Sequence, residues 1–198
     1  MGMSMDEIRS TLFTAKLRWL LAQALQRGER VLWQGQPDGV ARMMFWRFLW
    51  WIGIPWLALV AIALTRGWIA ESAMVLLVLG VAMVGTPLLV LLRDLQTLYV
   101  ITNRRALIVR TFGSKPTVTD TLFSDMDATF EILDIGRGRP CTLFFTSGIS
   151  SRASDTAYTG HYGFHCIRDA VAVRDILERA RREDAARSAG TRQGSARG

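Results

Sequence analysis

Four arginines are the groups in this chain best suited to grip an anion or an acidic partner. Arg104 and Arg105 close the run Thr102-Asn103-Arg104-Arg105, and Arg137 and Arg139 sit in Gly136-Arg137-Gly138-Arg139-Pro140. A guanidinium offers five N–H donors in a planar fork that matches carboxylate and phosphate. The glycines beside Arg137 and Arg139 would also bare backbone amides to the same anion. Each pair has a plainer reading as turn residues facing water. Other reactive residue types lack the spacing their chemistry needs. His161, His165 and Cys166 are close in sequence, but a transition-metal site takes three or four converging ligands. Asp155, Asp169 or Cys141 would have to be brought in from elsewhere. Ser147, Ser150, Ser151 and Ser154 lack the Gly-x-Ser-x-Gly elbow of a serine hydrolase. Asp125 and Asp127 would share a face if they lay on a strand, yet fit a charged turn better. No glycine-rich nucleotide loop follows a strand. The expectation is a protein that is not an enzyme and holds no cofactor or metal.

The elements that must position these residues are dominated by two uncharged apolar runs, Phe48–Thr65 and Ser72–Leu92, six residues apart. An α-helix rises about 1.5 Å per residue, so about 20 residues match a hydrocarbon core about 30 Å thick. The first run is short for this, but Met43–Trp46 extend it if Arg47 snorkels toward the headgroups. A soluble domain this small could not surround two such runs. Arg42 and Arg47 precede the first run, and Arg93, Arg104 and Arg105 follow the second, whereas the loop 66–71 carries one Arg and one Glu. The positive-inside rule then places both termini in the cytoplasm. Trp46, Trp50 and Trp51 are assigned to the near interface and Trp68 to the far one. The spans hold no Asp, Glu, Lys, Arg or His, which argues against ion-coupled transport. Gly80, Ala82 and Gly85 would permit close helix packing.

Residues 6–27 read as a helix rich in Leu, Ala, Gln, Arg and Lys, lying on the membrane surface or packed on the domain. Arg30–Gly35 reads as a strand ending in the turn Pro37-Asp38-Gly39. Beyond the second span, Leu98–Ile101 and Ala106–Arg110 form a hairpin about Asn103, a residue that tolerates left-handed backbone. Pro116–Phe123, Ala128–Leu133 and Cys141–Ser147 add three strands, making about five after the spans, and Gly148–Gly160 reads as a loop. The apolar spacing of Val173, Ile176, Leu177 and Ala180 predicts a closing helix over 170–182, with Asp169 as its N-cap. A strand as short as 30–35 needs later partners, so the hairpin of spans is expected to be an insertion within one β-domain.

The net charge is +7. Six arginines against Glu183 and Asp184 make residues 179–198 a basic segment, expected to be a disordered tail from 183 on. Such charge suits an anionic leaflet. Nucleic acid is not an expected partner, because no recognition helix or base-stacking motif accompanies it. Cys141 and Cys166 are expected to be reduced thiols.

Glu29-Arg30-Val31-Leu32-Trp33-Gln34-Gly35-Gln36-Pro37 ahead of the spans, with Leu98-Tyr99-Val100-Ile101-Thr102-Asn103-Arg104-Arg105-Ala106-Leu107-Ile108 behind them, resembles the bacterial membrane proteins with a pleckstrin-homology-like domain. The Tyr-x-Ile-Thr-Asn-Arg-Arg-Ala stretch is its most specific part. The segment from Gly163-Phe164 to Ala180 looks like that family's C-terminal helix. The resemblance covers roughly residues 29–182. It implies an α+β membrane protein: a two-helix transmembrane hairpin inserted in a bent antiparallel β-sheet or partial barrel, capped by a C-terminal helix. The expected parts are an N-terminal helix (1–28), a first strand (29–40), spans at 43–65 and 72–92, the rest of the domain (97–182) and the tail (183–198). The family has no shared catalytic activity and implies binding or scaffolding at the membrane. The expected role is therefore to dock a protein partner or self-assemble at the cytoplasmic face of a bacterial inner membrane, the alternative being recognition of an anionic lipid or amphiphile by the domain and tail.

Overall fold

The computed structural model describes residues 14–67, 73–113, 115–127, 129–133, 141–146 and 162–195. In chain order these form α1 (Thr14–Ala24), β1 (Val31–Gly35), α2 (Gly39–Phe45), α3 (Phe48–Thr65), α4 (Ala73–Leu95), β2 (Thr97–Thr102), β3 (Arg105–Arg110) and β4 (Thr117–Leu122). A 3-10 turn (Phe123–Asp125), β5 (Glu131–Leu133), β6 (Cys141–Thr146), β7 (Tyr162–Ile167) and α5 (Ala170–Ser195) follow. The chain divides into two units, one of Gly39–Asp94 and one of Met1–Asp38 with Leu95–Gly198.

In the discontinuous unit the strands form two sheets, β1-β2-β3-β4 and β5-β6-β7. Every neighbouring pair is antiparallel. β2 and β3 are apolar at their four inner positions because both of their faces are covered. Tyr99, Ile101, Ala106 and Ile108 point into the main core, with Leu143, Phe145, Phe164, Val173 and Leu177. Leu98, Val100, Leu107 and Val109 point the other way, onto Leu17, Leu20 and Leu21 of α1. The N-terminal helix is thus packed on the domain through its Leu17 row; residues 6–13 of the expected helix lie outside the described residues. Tyr99 stacks on Phe164 at 4.7 Å between centroids, and Phe145 meets Phe164 edge-on at 5.1 Å.

Several expectations change. The segment after Gly163 does not begin as helix: Tyr162–Ile167 is a sixth strand after the apolar runs, and α5 starts at Ala170. Gly163 is required there, since a Cβ would run into the Leu143 carbonyl. Asp169 takes the N-cap position of α5, its carbonyl accepting from the Val173 N–H at 3.1 Å, but with a positive φ of 55° instead of the extended angles usual there. α5 runs on as helix to Ser195, where its Ala, Arg, Ser and Gly content had suggested a disordered tail. Of Ala128–Leu133, the last three residues form β5, Phe130 precedes it outside the strand, and Ala128 lies outside the described residues.

In the other unit, α3 and α4 are long and apolar enough to cross a membrane, and only 11% of each apolar stretch is buried. Met43–Trp46 do not prolong α3. They belong to the separate helix α2 and the turn that follows it. α4 continues past Leu92 to include Arg93 and Asp94. The side chain of Asp94, 3% exposed, is held by Arg42 at 3.1 Å. Gly80 allows the close approach of Leu57 and Trp56, and Gly53 that of Val84 and Met83, while a Cβ at Gly85 would meet open space. Two tryptophans bind across the pair: Trp50 Nε1 donates to the Val84 carbonyl at 2.9 Å and Trp56 Nε1 to that of Leu76 at 3.0 Å. Trp50 is therefore an interhelical donor, a role the expectation of an interfacial anchor missed.

Candidate functional site

The β2–β3 turn carries the described arginine pair, and its two members have opposite fates. The register pairs Ile101 with Ala106, so Asn103 and Arg104 form the tip. The Thr102 hydroxyl closes it, accepting from the Arg105 amide at 3.1 Å and lying 2.8 Å from both the Arg105 carbonyl and Glu29 Oε1. Its single proton serves one of those acceptors at a time. Asn103 is not among the residues with positive φ. It is used instead for its amide: Oδ1 accepts from the Arg30 N–H at 2.9 Å, and the Asn103 N–H donates to the Arg30 carbonyl at 3.1 Å.

Arg105 shares the α1-facing side of β3 with Leu107 and Val109, at the period of two that a strand imposes. Its guanidinium is spent inside the fold. Nε donates to Glu29 Oε1 at 2.9 Å, Nη1 to Asp120 at 2.8 Å, and Nη2 to Glu29 Oε2 at 3.0 Å and to the Ala24 carbonyl at 2.9 Å. One side chain thus ties the end of α1, the α1–β1 connection and β4. The side chain of Arg105 is 10% exposed, that of Glu29 fully covered, and that of Asp120 half exposed. Burial pushes the Glu29 carboxyl up, but bonds from Arg105, the Gln26 amide and Thr102 outweigh it and hold it down at about 2. Arg105 is held above its ordinary range, chiefly by the bond to Glu29. With its donors so engaged, Arg105 is a structural clasp and not a ligand contact. Arg104, beside it, is exposed.

The remaining candidates scatter. Arg137, Arg139, His161 and the four serines lie outside the described residues. Asp125 sits in the 3-10 turn, accepting from Ser124 Oγ at 3.0 Å, and not on a strand shared with Asp127. His165 and Cys166 lie on β7, where the His165 ring meets Phe144 edge-on. Cys141 and Cys166 are not joined in a disulfide. Among the described residues no three His, Cys, Asp or Glu side chains gather as metal ligands.

Sequence reasoning missed Glu29 and Asp120. They lie 76 and 15 residues from Arg105, and only the β-sheet register brings all three together.

Compared with protein-family models, curated proteins and solved structures, the chain has no match.

Proposed function

We propose that this chain is a non-catalytic binding module held at a bacterial inner membrane by a two-helix hairpin, with both termini and a pleckstrin-homology-like β-domain on the cytoplasmic face. The observation that carries the reading is the pairing of β1 with β2. β1 precedes the two apolar helices and β2 follows them. A pair of crossings that leaves one strand and returns beside it suits a tether, and a tether raises the local concentration of whatever the domain binds. Docking of a protein segment, or of a second copy, is further supported by β4. It is an edge of its sheet, and Thr117, Val118, Asp120 and Leu122 on it are exposed. An extended segment can add to such an edge through main-chain hydrogen bonds.

The lipid alternative draws less support. Many of the C-terminal arginines are already engaged. Arg181 donates to the carbonyls of Asp127 and Met126, Arg182 to Glu178, and Arg187 to that of Asn103. Native mass spectrometry of the chain extracted in a gentle detergent tests the proposal. A protein partner or homo-oligomer that is lost on Thr119→Pro is the expected result. A monomer carrying only stoichiometric anionic lipid would contradict it.

A further inference from the structure

Arg105 has turned inward, and its removal from the surface leaves a different set of cations around the same turn. Asn103 is the hub. It exchanges two hydrogen bonds with the backbone of Arg30 and, at 3.5 Å, one with the Gly28 carbonyl next to Arg27. Arg104 follows it in the chain, and Arg187 of α5 donates to its carbonyl at 2.8 Å. Arg27, Arg30 and Arg104 are exposed, whereas Arg187 is engaged by the Asn103 and Glu183 carbonyls and by Asp184. The three exposed arginines come from two parts of the fold, Arg27 and Arg30 from the α1–β1 connection and Arg104 from the turn itself. The carboxylates close by do little to cancel them. Glu29 is buried and bound to Arg105, Asp120 is bound to the same guanidinium, and Asp184 stands 3.9 Å from Arg187, with exposed Glu183 before it.

We infer that this cluster is a docking site for an acidic protein segment, one presenting several Asp or Glu side chains to Arg27, Arg30 and Arg104. Exposed guanidiniums bind carboxylates in bidentate fashion, and a cationic surface speeds encounter with an acidic partner. The inference rests on the binding-module reading and specifies the partner's chemistry.

The test uses the full chain in nanodiscs of neutral lipid and a fluorescent 12-residue peptide rich in Asp and Glu. Binding should fall steeply with added salt. Arg30→Glu and Arg104→Glu, both at exposed positions, should each weaken it by about tenfold or more, equivalent to about 1.4 kcal/mol. Lys115→Glu makes the same charge change at the opposite end of the sheet and should leave binding near the parent value; circular dichroism checks that all three stay folded. Equal weakening by all three substitutions would reduce the effect to net charge and overturn the inference. So would no peptide binding, including the case where anionic vesicles added in trans bind in an Arg104-dependent way. The binding-module reading fails separately. A native partner that still docks on Arg104→Glu would leave that reading standing and remove this site. A peptide that binds through Arg104 on a chain with no native protein partner would do the reverse.

Discussion

The β-unit and the helical pair bury their apolar residues in opposite ways. β2 and β3 are covered on both faces, by α1 on one side and by β6, β7 and α5 on the other. α3 and α4 cover each other only along a seam made by Gly53, Gly80 and two tryptophan donors, leaving residues such as Trp51 (79%) and Met74 (73%) exposed. The first unit supplies its own apolar solvent. The second needs one from outside, and its length and composition suit a bilayer. Charge is handled alike in the two units: among the described residues, nearly covered carboxylates are paired to arginines, Glu29 to Arg105 and Asp38 to Arg168 in the first and Asp94 to Arg42 in the second.

The sharpest way to break the comparison is to truncate a large side chain in each unit. Phe164→Ala should cost about 3–5 kcal/mol of β-unit stability, since it leaves a cavity in a fully buried aromatic cluster. Trp51→Ala should leave that unit's denaturant midpoint unchanged. Comparable losses in the two would show that the helical pair is part of the same core.

The two turn arginines offer the second contrast. Arg105→Ala strands the covered Glu29 carboxylate and should destabilise by about 3–5 kcal/mol, read by chemical denaturation in detergent. Arg104→Ala should stay within about 0.5 kcal/mol.

Acid probes the same clasp without mutation. The Glu29 carboxyl lies at about 2 in the folded chain against an ordinary 4.5, so the unfolded chain binds its proton first. The stabilisation is therefore complete above about pH 4.5 and is lost as pH falls toward 2. It amounts to about 3 kcal/mol at most. Glu29→Gln should flatten the stability profile across that window. An unchanged profile would mean that other carboxyls govern it.

The smallest effect is expected at the helical seam. Trp56→Phe removes the donor to the Leu76 carbonyl and should cost about 1 kcal/mol, because interhelical hydrogen bonds in membranes are individually modest. Gly80→Leu, which forces bulk against Leu57 and Trp56, should separate the helices more strongly. A disulfide cross-link between engineered cysteines on the two helices reads both.

These contrasts also explain what the sequence could reveal. The strands β2 and β3, the turn between them and the two apolar helices were legible because each is a local pattern: an unbroken aliphatic run, a polar break, a long uncharged stretch. α1 could be placed only once its Leu17 row met Leu107 and Val109. β7 was hidden because Tyr-Gly-Phe-His-Cys-Ile has no clean alternation. Its glycine answers a steric demand from Leu143, a strand away. At the candidate site the residue types were legible and their roles were not. Arg104 and Arg105 are chemically alike and adjacent, and only the register of β3 with β4 and the position of Glu29 turn one inward. The extension of α5 to Ser195 follows the good helix propensity of its Ala and Arg residues, which a reading of polarity alone undervalued.

The account's central claim is that the helical pair crosses a bilayer and keeps the β-unit on one side of it. The most direct measurement is labelling of single cysteines by a membrane-impermeant maleimide in bacterial spheroplasts, in a Cys141→Ser, Cys166→Ser background. Arg66→Cys reports the link after α3 and Lys115→Cys the β-unit, both at exposed positions. The account predicts that the position-66 cysteine is labelled in intact spheroplasts and the position-115 cysteine only after lysis. Labelling of both from outside, or of neither before lysis, would contradict it.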